Sequence, residues 1–527
     1  LPPLDELAHY PSIALFLVRA QVVRHDFALT AENAATVSEL CGCLAGIPLA
    51  IELDAAHCDS FTPVEMLAQV SARLAAERER TGEPLTHRQV LREALAWSYA
   101  LLGPEDQALL ARMGVFAGGC TLEAVSAVCN PEGDLTIDVP AGTTLLLSKN
   151  LLVQEQWLSD EPRYVMLDMI LQFAQARLAD RGEVDRLRRS HAAYCLALAG
   201  QAEAGLTGAD QEHWLQRLED DLHNMRAALQ WSSVHGEPAT AVQLAGSLWR
   251  FWYIHGHLSE GRRWLSQALA AGVARDPLMP VALRTKALTG ASVLSFVQGD
   301  YSRAKAFAEQ NLSIFRALDD QRGIANTLSN MGAMAVEQGD YATAAPLLTE
   351  SLALRRALGD TWGIAVALNN LARVIEGQGD YAQAESFYIE SLALFREMAD
   401  KGNIVNPAMN LGWMMLAQGQ HERAKHYFRE SLGLSKDLGY QESIANSLQG
   451  FAYLAAAAGR PTEAARLIGV VEAMYTQSDI QLSPIERARY TRAVEAIRAQ
   501  LDEAAYAVAW AEGQTMDVGI AVGLVLD

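Results

Sequence analysis

The sequence predicts a mainly α chain, in which helical segments and one β-hairpin precede a long solenoid of stacked helix pairs. Two observations carry that expectation. The first is a phrase, Gln-Gly-Asp-Tyr, found at 298–301, 338–341 and 378–381, which weakens to Gln-Gly-Gln-His at 418–421 and Ala-Gly-Arg-Pro at 458–461. Its glycines, Gly299, Gly339, Gly379, Gly419 and Gly459, step by 40 residues (339 − 299). The second is that other positions keep the same step: Ala304, Ala344, Ala384, Ala424 and Ala464; Ile324, Ile364, Ile404 and Ile444; Ser351, Ser391 and Ser431. A fixed period of this size marks units that bury their apolar faces only against their neighbours.

One unit reads as two helices. Between residues 323 and 338, Ile324, Ala325, Leu328, Met331, Ala335 and Val336 fall at helical spacing. Gly339 then supplies a left-handed stop and Asp340 an N-cap for the next helix. That helix carries Tyr341, Ala344, Ala345, Leu347, Leu348, Leu352 and Leu354 and stops near Leu-Gly-Asp at 358–360. The small residues mark where two helices approach closely. The arrangement resembles the tetratricopeptide repeat. Its usual unit is about 34 residues, so the longer step predicts longer helices.

Composition narrows the function classes. A chain of 527 residues predicts three or four domains. Half of it is hydrophobic, yet no apolar run reaches the length of a membrane span, so a protein without a membrane partner is expected. The net charge of −21 (42 basic against 63 acidic residues) is spread along the chain and argues against nonspecific binding to nucleic acid or anionic lipid. Cys41, Cys43, Cys58, Cys120, Cys129 and Cys195 show no disulfide spacing, which suits a reducing cytoplasm. Cys41, Cys43, His57 and Cys58 match no usual zinc pattern, and no metal is expected. The chain opens on Leu1 rather than Met, which predicts a piece of a longer protein.

Taken in order, residues 10–24 carry Ile13, Phe16, Leu17, Ala20 and Val23 as an amphipathic helix, and a second helix opens near Asn33. Gly46, Ile47 and Pro48 then form a turn. Residues 88–99, 104–110 and 121–125 read as three short helices, and another near 144–149 leads into a hairpin, out along 151–157 and back along 163–168. That is a winged-helix outline. With Ser-Ile-Ala-Leu-Phe-Leu-Val-Arg-Ala at 12–20, Gly-Ile-Pro-Leu-Ala at 46–50 and Gly-Val-Phe-Ala-Gly-Gly-Cys-Thr-Leu-Glu-Ala at 114–124, it resembles the C-terminal part of the signal-transduction ATPases with numerous domains (STAND). This group includes NB-ARC proteins and bacterial LuxR-associated and antibiotic-regulator-type transcriptional regulators.

The resemblance implies that Gly46 and Pro48 belong to a partial nucleotide-contact site against an adenine, with Asp168 as a third member. Met166, Leu167 and Asp168 occupy the place of the family's Met-His-Asp motif, where the His reaches a phosphate; Leu167 cannot do so. Asp168 is therefore expected chiefly to cap the helix over 169–178. None of the six lysines (Lys149, Lys286, Lys305, Lys401, Lys425, Lys436) follows a glycine, so no phosphate-cradling loop is present. The chain is expected to hold no cofactor and no catalytic residues of its own. The resemblance implies ATP or ADP only for a full-length parent, in a separate NTPase core that would be a partner of this segment.

Residues 183–280 read as irregular helices, and 218–231 resemble the family's linker into its repeats. His255 and His257 flank Gly256 as a metal pair might, but a helix-turn cap is the expected role. Five segments follow: a helical lid remnant over 1–86, a winged-helix domain over 87–182, a linker with divergent repeats over 183–280, the repeat superhelix over 281–475 and capping helices over 476–527. Asn326, Asn330, Asn370, Asn406, Asn410 and Asn446 lie on the helix face expected to be concave. Amides both donate and accept, so this ladder suits a peptide or protein in the repeat groove. Arg355, Arg356, Arg373 and Arg396 read first as solvated helix surface, with a preference for acidic ligands as the alternative. The expected role is the regulatory, effector-sensing segment of such an ATPase, with no direct nucleic-acid contact. A free-standing scaffold for protein partners, without nucleotide control, is the alternative.

Overall fold

The computed structural model describes residues 2–526 except 160, 207–209, 236, 277, 278, 478–481 and 483. The described residues form 28 helices and one two-stranded sheet, in two compact units, Leu1–Leu294 and Ser295–Asp527. Among them no helix is long and apolar enough to cross a membrane.

In the first unit, α1 (Leu4–Leu7), α2 (Pro11–Val23), α3 (Ala34–Cys43), α4 (Pro48–Ala55) and α5 (Pro63–Thr81) come first. α2 buries Ile13, Phe16 and Ala20, one stripe at helical spacing. α4 begins on Pro48, whose missing N–H costs nothing in a first turn, and α5 is held open at Thr62 by a reciprocal capping box with Glu65. α6 (His87–Ala100), α7 (Pro104–Met113), α8 (Leu122–Cys129) and α9 (Val139–Ser148) lead into strands β1 (Val153–Gln156) and β2 (Pro162–Val165), paired antiparallel with Val153 opposite Val165. α10 (Asp168–Asp180) follows. Phe16, Leu53, Leu95, Leu109, Val125 and Leu151 share one hydrophobic cluster, so segments 1–86 and 87–182 are built on a common core.

α11 (Val184–Gly205), α12 (Gln211–Asp220), α13 (Leu222–Val234), α14 (Pro238–Ile254) and α15 (Leu258–Arg275) complete the unit. The junction of α12 and α13 clamps the hairpin. Asp220 accepts from the Ser159 backbone (2.9 Å) and hydroxyl (2.6 Å), at the turn between the strands. Asp221 pairs at 2.7 Å with Arg163 of β2, and both side chains are buried. Asn224 donates to the Gly119 carbonyl (2.9 Å) and accepts from the Ala117 amide (2.8 Å). Gly119 has a φ of +94°, and a Cβ there would lie 2.9 Å from Val165 Cγ2, so only glycine fits under the hairpin.

The second unit is the solenoid. α16 (Val281–Val297) spans the 294/295 division between the two units. After it come α17 (Tyr301–Ala317), α18 (Gln321–Glu337), α19 (Tyr341–Leu358), α20 (Thr361–Gly377), α21 (Tyr381–Glu397), α22 (Lys401–Ala417), α23 (His421–Leu438), α24 (Gln441–Ala457) and α25 (Pro461–Gln477). α26 (Pro484–Arg498), α27 (Glu503–Gln514) and α28 (Val518–Leu526) close the chain. The real punctuation is every 20 residues, half the visible period. A left-handed residue stands at Gly299, Asp319, Gly339, Gly359, Gly379, Ala399, Gly419, Gly439 and Gly459. An aspartate follows the first six, and Asp300, Asp320, Asp340, Asp360, Asp380 and Asp400 each accept a backbone N–H three residues on, at 3.0–3.3 Å.

The recurring small residues explain themselves. Ala304, Ala344, Ala384, Ala424 and Ala464 are fully buried where helices meet. Ser351 and Ser391 donate at 2.8 Å to the carbonyls of Ala325 and Ala365, tying the second helix of a unit to its first. Arg316–Glu350 (3.3 Å), Arg356–Glu390 (3.6 Å) and Arg396–Glu430 (2.7 Å) repeat one ion pair between successive second helices. Being partly exposed, each contributes about 0–1 kcal/mol.

Ala399 holds a φ of +54° where most of the series has glycine. A left-handed non-glycine residue costs about 1–2 kcal/mol, partly offset by the extra freedom glycine has when unfolded. Ala399→Gly should therefore stabilise the solenoid by roughly 0.5–1 kcal/mol, seen as a higher denaturation midpoint by circular dichroism; an unchanged or lower midpoint would contradict the strain.

Candidate interaction groove

The first helices of successive units, α18, α20, α22 and α24, line the groove. The asparagines form two columns on them, set by the 40-residue step: Asn326, Asn406 and Asn446 in one, with Val366 interrupting it, and Asn330, Asn370 and Asn410 in the other. The structure separates them into open and committed groups. Asn330 and Asn406 are exposed and Asn370 half-buried, and their amides bond to no other described residue. Asn326, also exposed, accepts from Arg355 Nη2 at 2.8 Å. Asn410 donates to Asn369 across neighbouring helices (3.1 Å). Asn446 is 3 % exposed and donates to Glu486 of α26 (3.4 Å).

The arginines are not free cations. Arg355 is buried, held by Asp360 at 2.8 Å, by Ser351 and by Asn326, so it ties the inter-helix turn to the helices. Arg373 is bound to Glu337 at 2.6 Å, and Arg356 and Arg396 belong to the ion-pair series. The alternative of an acidic-ligand preference finds no support, because each already faces a carboxylate of this chain. What spacing missed is a buried polar pair between α20 and α21, and a cation–aromatic contact made by α26. Tyr388, fully buried, donates to Glu376 at 2.8 Å, and burial pushes the Glu376 carboxyl above its usual range despite that bond. Arg489 of α26 lies 4.5 Å over the Trp413 ring.

In the first unit, Gly46 (φ +67°) ends α3 and Pro48 begins α4; both are exposed. Asp168 is exposed too, and among the described residues no bond joins it to either. The capping expected of Asp168 is not made: Leu167 holds the N-cap place and Asp168 is already the first helical residue. A cap side chain must stand one position earlier to reach back to the free amides. Asp168 instead sets its charge at the positive end of α10. His255 Nδ1 and His257 Nε2 both meet Glu219 Oε2, at 3.1 and 3.0 Å, which is the one group of metal-donor geometry among the described residues. All six cysteines are unpaired thiols, five of them buried.

Residues 287–357 and 363–437 match the tetratricopeptide repeat family. The solenoid is built of tetratricopeptide repeats. Putative HTH-type transcriptional regulator Rv0890c of Mycobacterium tuberculosis is 33% identical over 329 residues, 61% of this chain and 36% of that protein. Uncharacterized protein Rv0894 of the same organism is 37% identical over 174 residues, 33% of this chain and 44% of that protein. The chain thus spans between a third and a half of the length of these curated relatives. A crystal structure of a STAND protein with a tetratricopeptide repeat sensor from Pyrococcus horikoshii aligns over 98% of this chain and 74% of its own, at 13% identity and a TM-score of 0.48.

Beneath the Gly46–Pro48 turn, α4 buries Asp54 completely, and neither of its carboxylate oxygens has a hydrogen-bond partner among the described residues. Burial lifts this carboxyl from 3.8 to about 7, with Arg73 offsetting only part. His57 and His191 are driven the other way, from 6.5 to about 4, chiefly by burial. A raised folded pKa contributes stability that is complete below the unfolded value and lost as pH rises through the folded one; the two histidines contribute stability that is lost as pH falls through theirs. Asp54→Asn should remove only the first dependence. The melting-temperature gain of the variant over the native chain should grow as pH rises from 3.8 to about 7 and level off above, and a gain independent of pH would show that Asp54 titrates alike in the folded and unfolded chain.

Proposed function

We infer that the chain is the regulatory, effector-sensing segment of a STAND-type ATPase that works in the cytoplasm as a bacterial transcriptional regulator. The observation that carries this reading is a tetratricopeptide solenoid whose first-helix face offers the free amides of Asn330, Asn370 and Asn406. Tetratricopeptide repeats serve protein–protein interaction, and an extended peptide can be held through its backbone by such amides whatever its sequence. Similarity to a relative named as a transcriptional regulator supports the regulatory output. The order of elements supports the ATPase connection: a Gly46–Pro48 turn opening α4, then helices and a hairpin, then repeats. In this reading the segment catalyses nothing itself and contacts no nucleic acid directly, and a separate NTPase core supplies the nucleotide site that Gly46, Pro48 and Asp168 would complete.

Two measurements test the reading. In a host lacking the gene, the full-length product should restore the transcript profile, whereas Asn330→Ala, Asn370→Ala and Asn406→Ala together should not, at unchanged helicity; full restoration by the variant would remove the ladder. Calorimetric titration with ATP and with ADP should give heat with the full-length product and none with this chain alone. Silence from both would leave a scaffold without nucleotide control.

A further inference from the structure

α26 is held differently from its neighbours. α27 is welded to α25 through backbone contact: a Cβ on Gly469 would fall 2.2 Å from the Trp510 carbonyl oxygen, and one on Gly513 2.0 Å from that of Arg466. An approach that close leaves no room for an alternative arrangement. α26 instead reaches the groove with long polar side chains. Glu486 takes the amide of Asn446 at 3.4 Å, and Tyr490 donates to Glu472 at 3.1 Å. Arg489 stacks on Trp413 at 4.5 Å, within the field of Glu376 of α20. Ala493 and Ile497, one and two turns further on the same face, are its fully buried apolar contacts. Residues at i, i+3, i+4, i+7 and i+11 thus face the solenoid, while Arg487, Arg492 and Glu495 are exposed and Arg498 lies 4.5 Å over the Tyr506 ring of α27. This is the anchor pattern of an amphipathic helix lying in a groove.

Asn446 belongs to the same column as the exposed Asn326 and Asn406. The groove is therefore already occupied at one end, by a helix of this chain seated on a ladder residue.

We propose that the groove recognises an amphipathic helix bearing a carboxylate, an arginine three residues later, a tyrosine next and small or branched apolar residues one and two turns on, and that α26 is its resident occupant, displaced when a partner protein presents such a helix. This rests on the groove being the binding face, and it names the class of partner. Charge complementarity selects it: the arginine enters beside Glu376 and over Trp413, and the carboxylate meets an amide donor. Specificity then comes from polar groups that an unmatched helix would leave unpaired.

The test uses a fluorescein-labelled peptide of residues 484–498 titrated into the whole chain and into its Glu486→Lys, Arg489→Glu form, which loosens α26 while keeping Ala493 and Ile497. The variant should bind the peptide at least tenfold more tightly than the native chain, and a peptide carrying the same two reversals should not bind it. Lack of binding to the variant at about 100 μM, the weak end of specific recognition, would overturn the proposal. Should the variant lose helicity, hydrogen exchange on the native chain decides: α26 amides exchanging at least tenfold faster than those of α27 support displacement, and equal rates make α26 an integral cap and refute it. Among the described residues Asn330, Asn370 and Asn406 make no bond to α26. A failed titration beside a positive transcript result therefore removes only the α26 reading, and failure of both removes the groove.

Discussion

The solenoid depends on its helices being stopped and restarted every twenty residues. A helix pair exposes apolar surface that only the next pair can cover, so any drift in helix length would put Ala344 or Ala384 out of register with its neighbours. The left-handed residue prevents that drift by turning the chain at a fixed place, and the aspartate after it accepts a free amide in the first turn of the next helix, three residues on. Because both devices act locally, every unit sets its own length. The groove is a consequence: with the first helices held in step, residues forty apart become neighbours on one face.

This explains which parts of the molecule were legible in the sequence. The period, the helix pair and the turn at Gly339 and Asp340 need only residues close together in the chain, and they were read correctly. The half-period was hidden because Asp319 and Ala399 carry the left-handed conformation without being glycine. Their place is fixed by the flanking helices rather than by their own preference. The fate of Arg355 was equally hidden: its spacing suits an exposed surface, but Asp360 and Asn326 draw it inside. The cap assigned to Asp168 failed by a single residue, a shift that pattern alone does not resolve.

Partners distant in sequence were the least legible. The phrase around Asp220, Asp221 and Asn224 reads as an ordinary helix start, yet its side chains reach residues 58 to 107 positions away. Arg163 lies wholly buried between Asp221 and the Trp157 ring. Breaking such a pair strands a buried charge, at a cost of about 3–5 kcal/mol. The hairpin is thereby held to the helices that follow it. The β2 arginine is thus spent on Asp221 inside the fold.

The groove joins the same two kinds of constraint. The polar pair beside it is costly, since Tyr388 is fully buried and Glu376 half-buried, and the two share one hydrogen bond. A purely apolar floor would hold a helix more strongly but would accept many. Buried polar groups instead penalise every occupant that fails to match them, so they exchange affinity for discrimination. Trp413, with the Arg489 guanidinium over its ring, supplies the apolar part of the contact without a second buried charge on the solenoid side. Strict local punctuation thus gives a rigid frame, and in the proposed reading a few buried polar groups within it select what lies there.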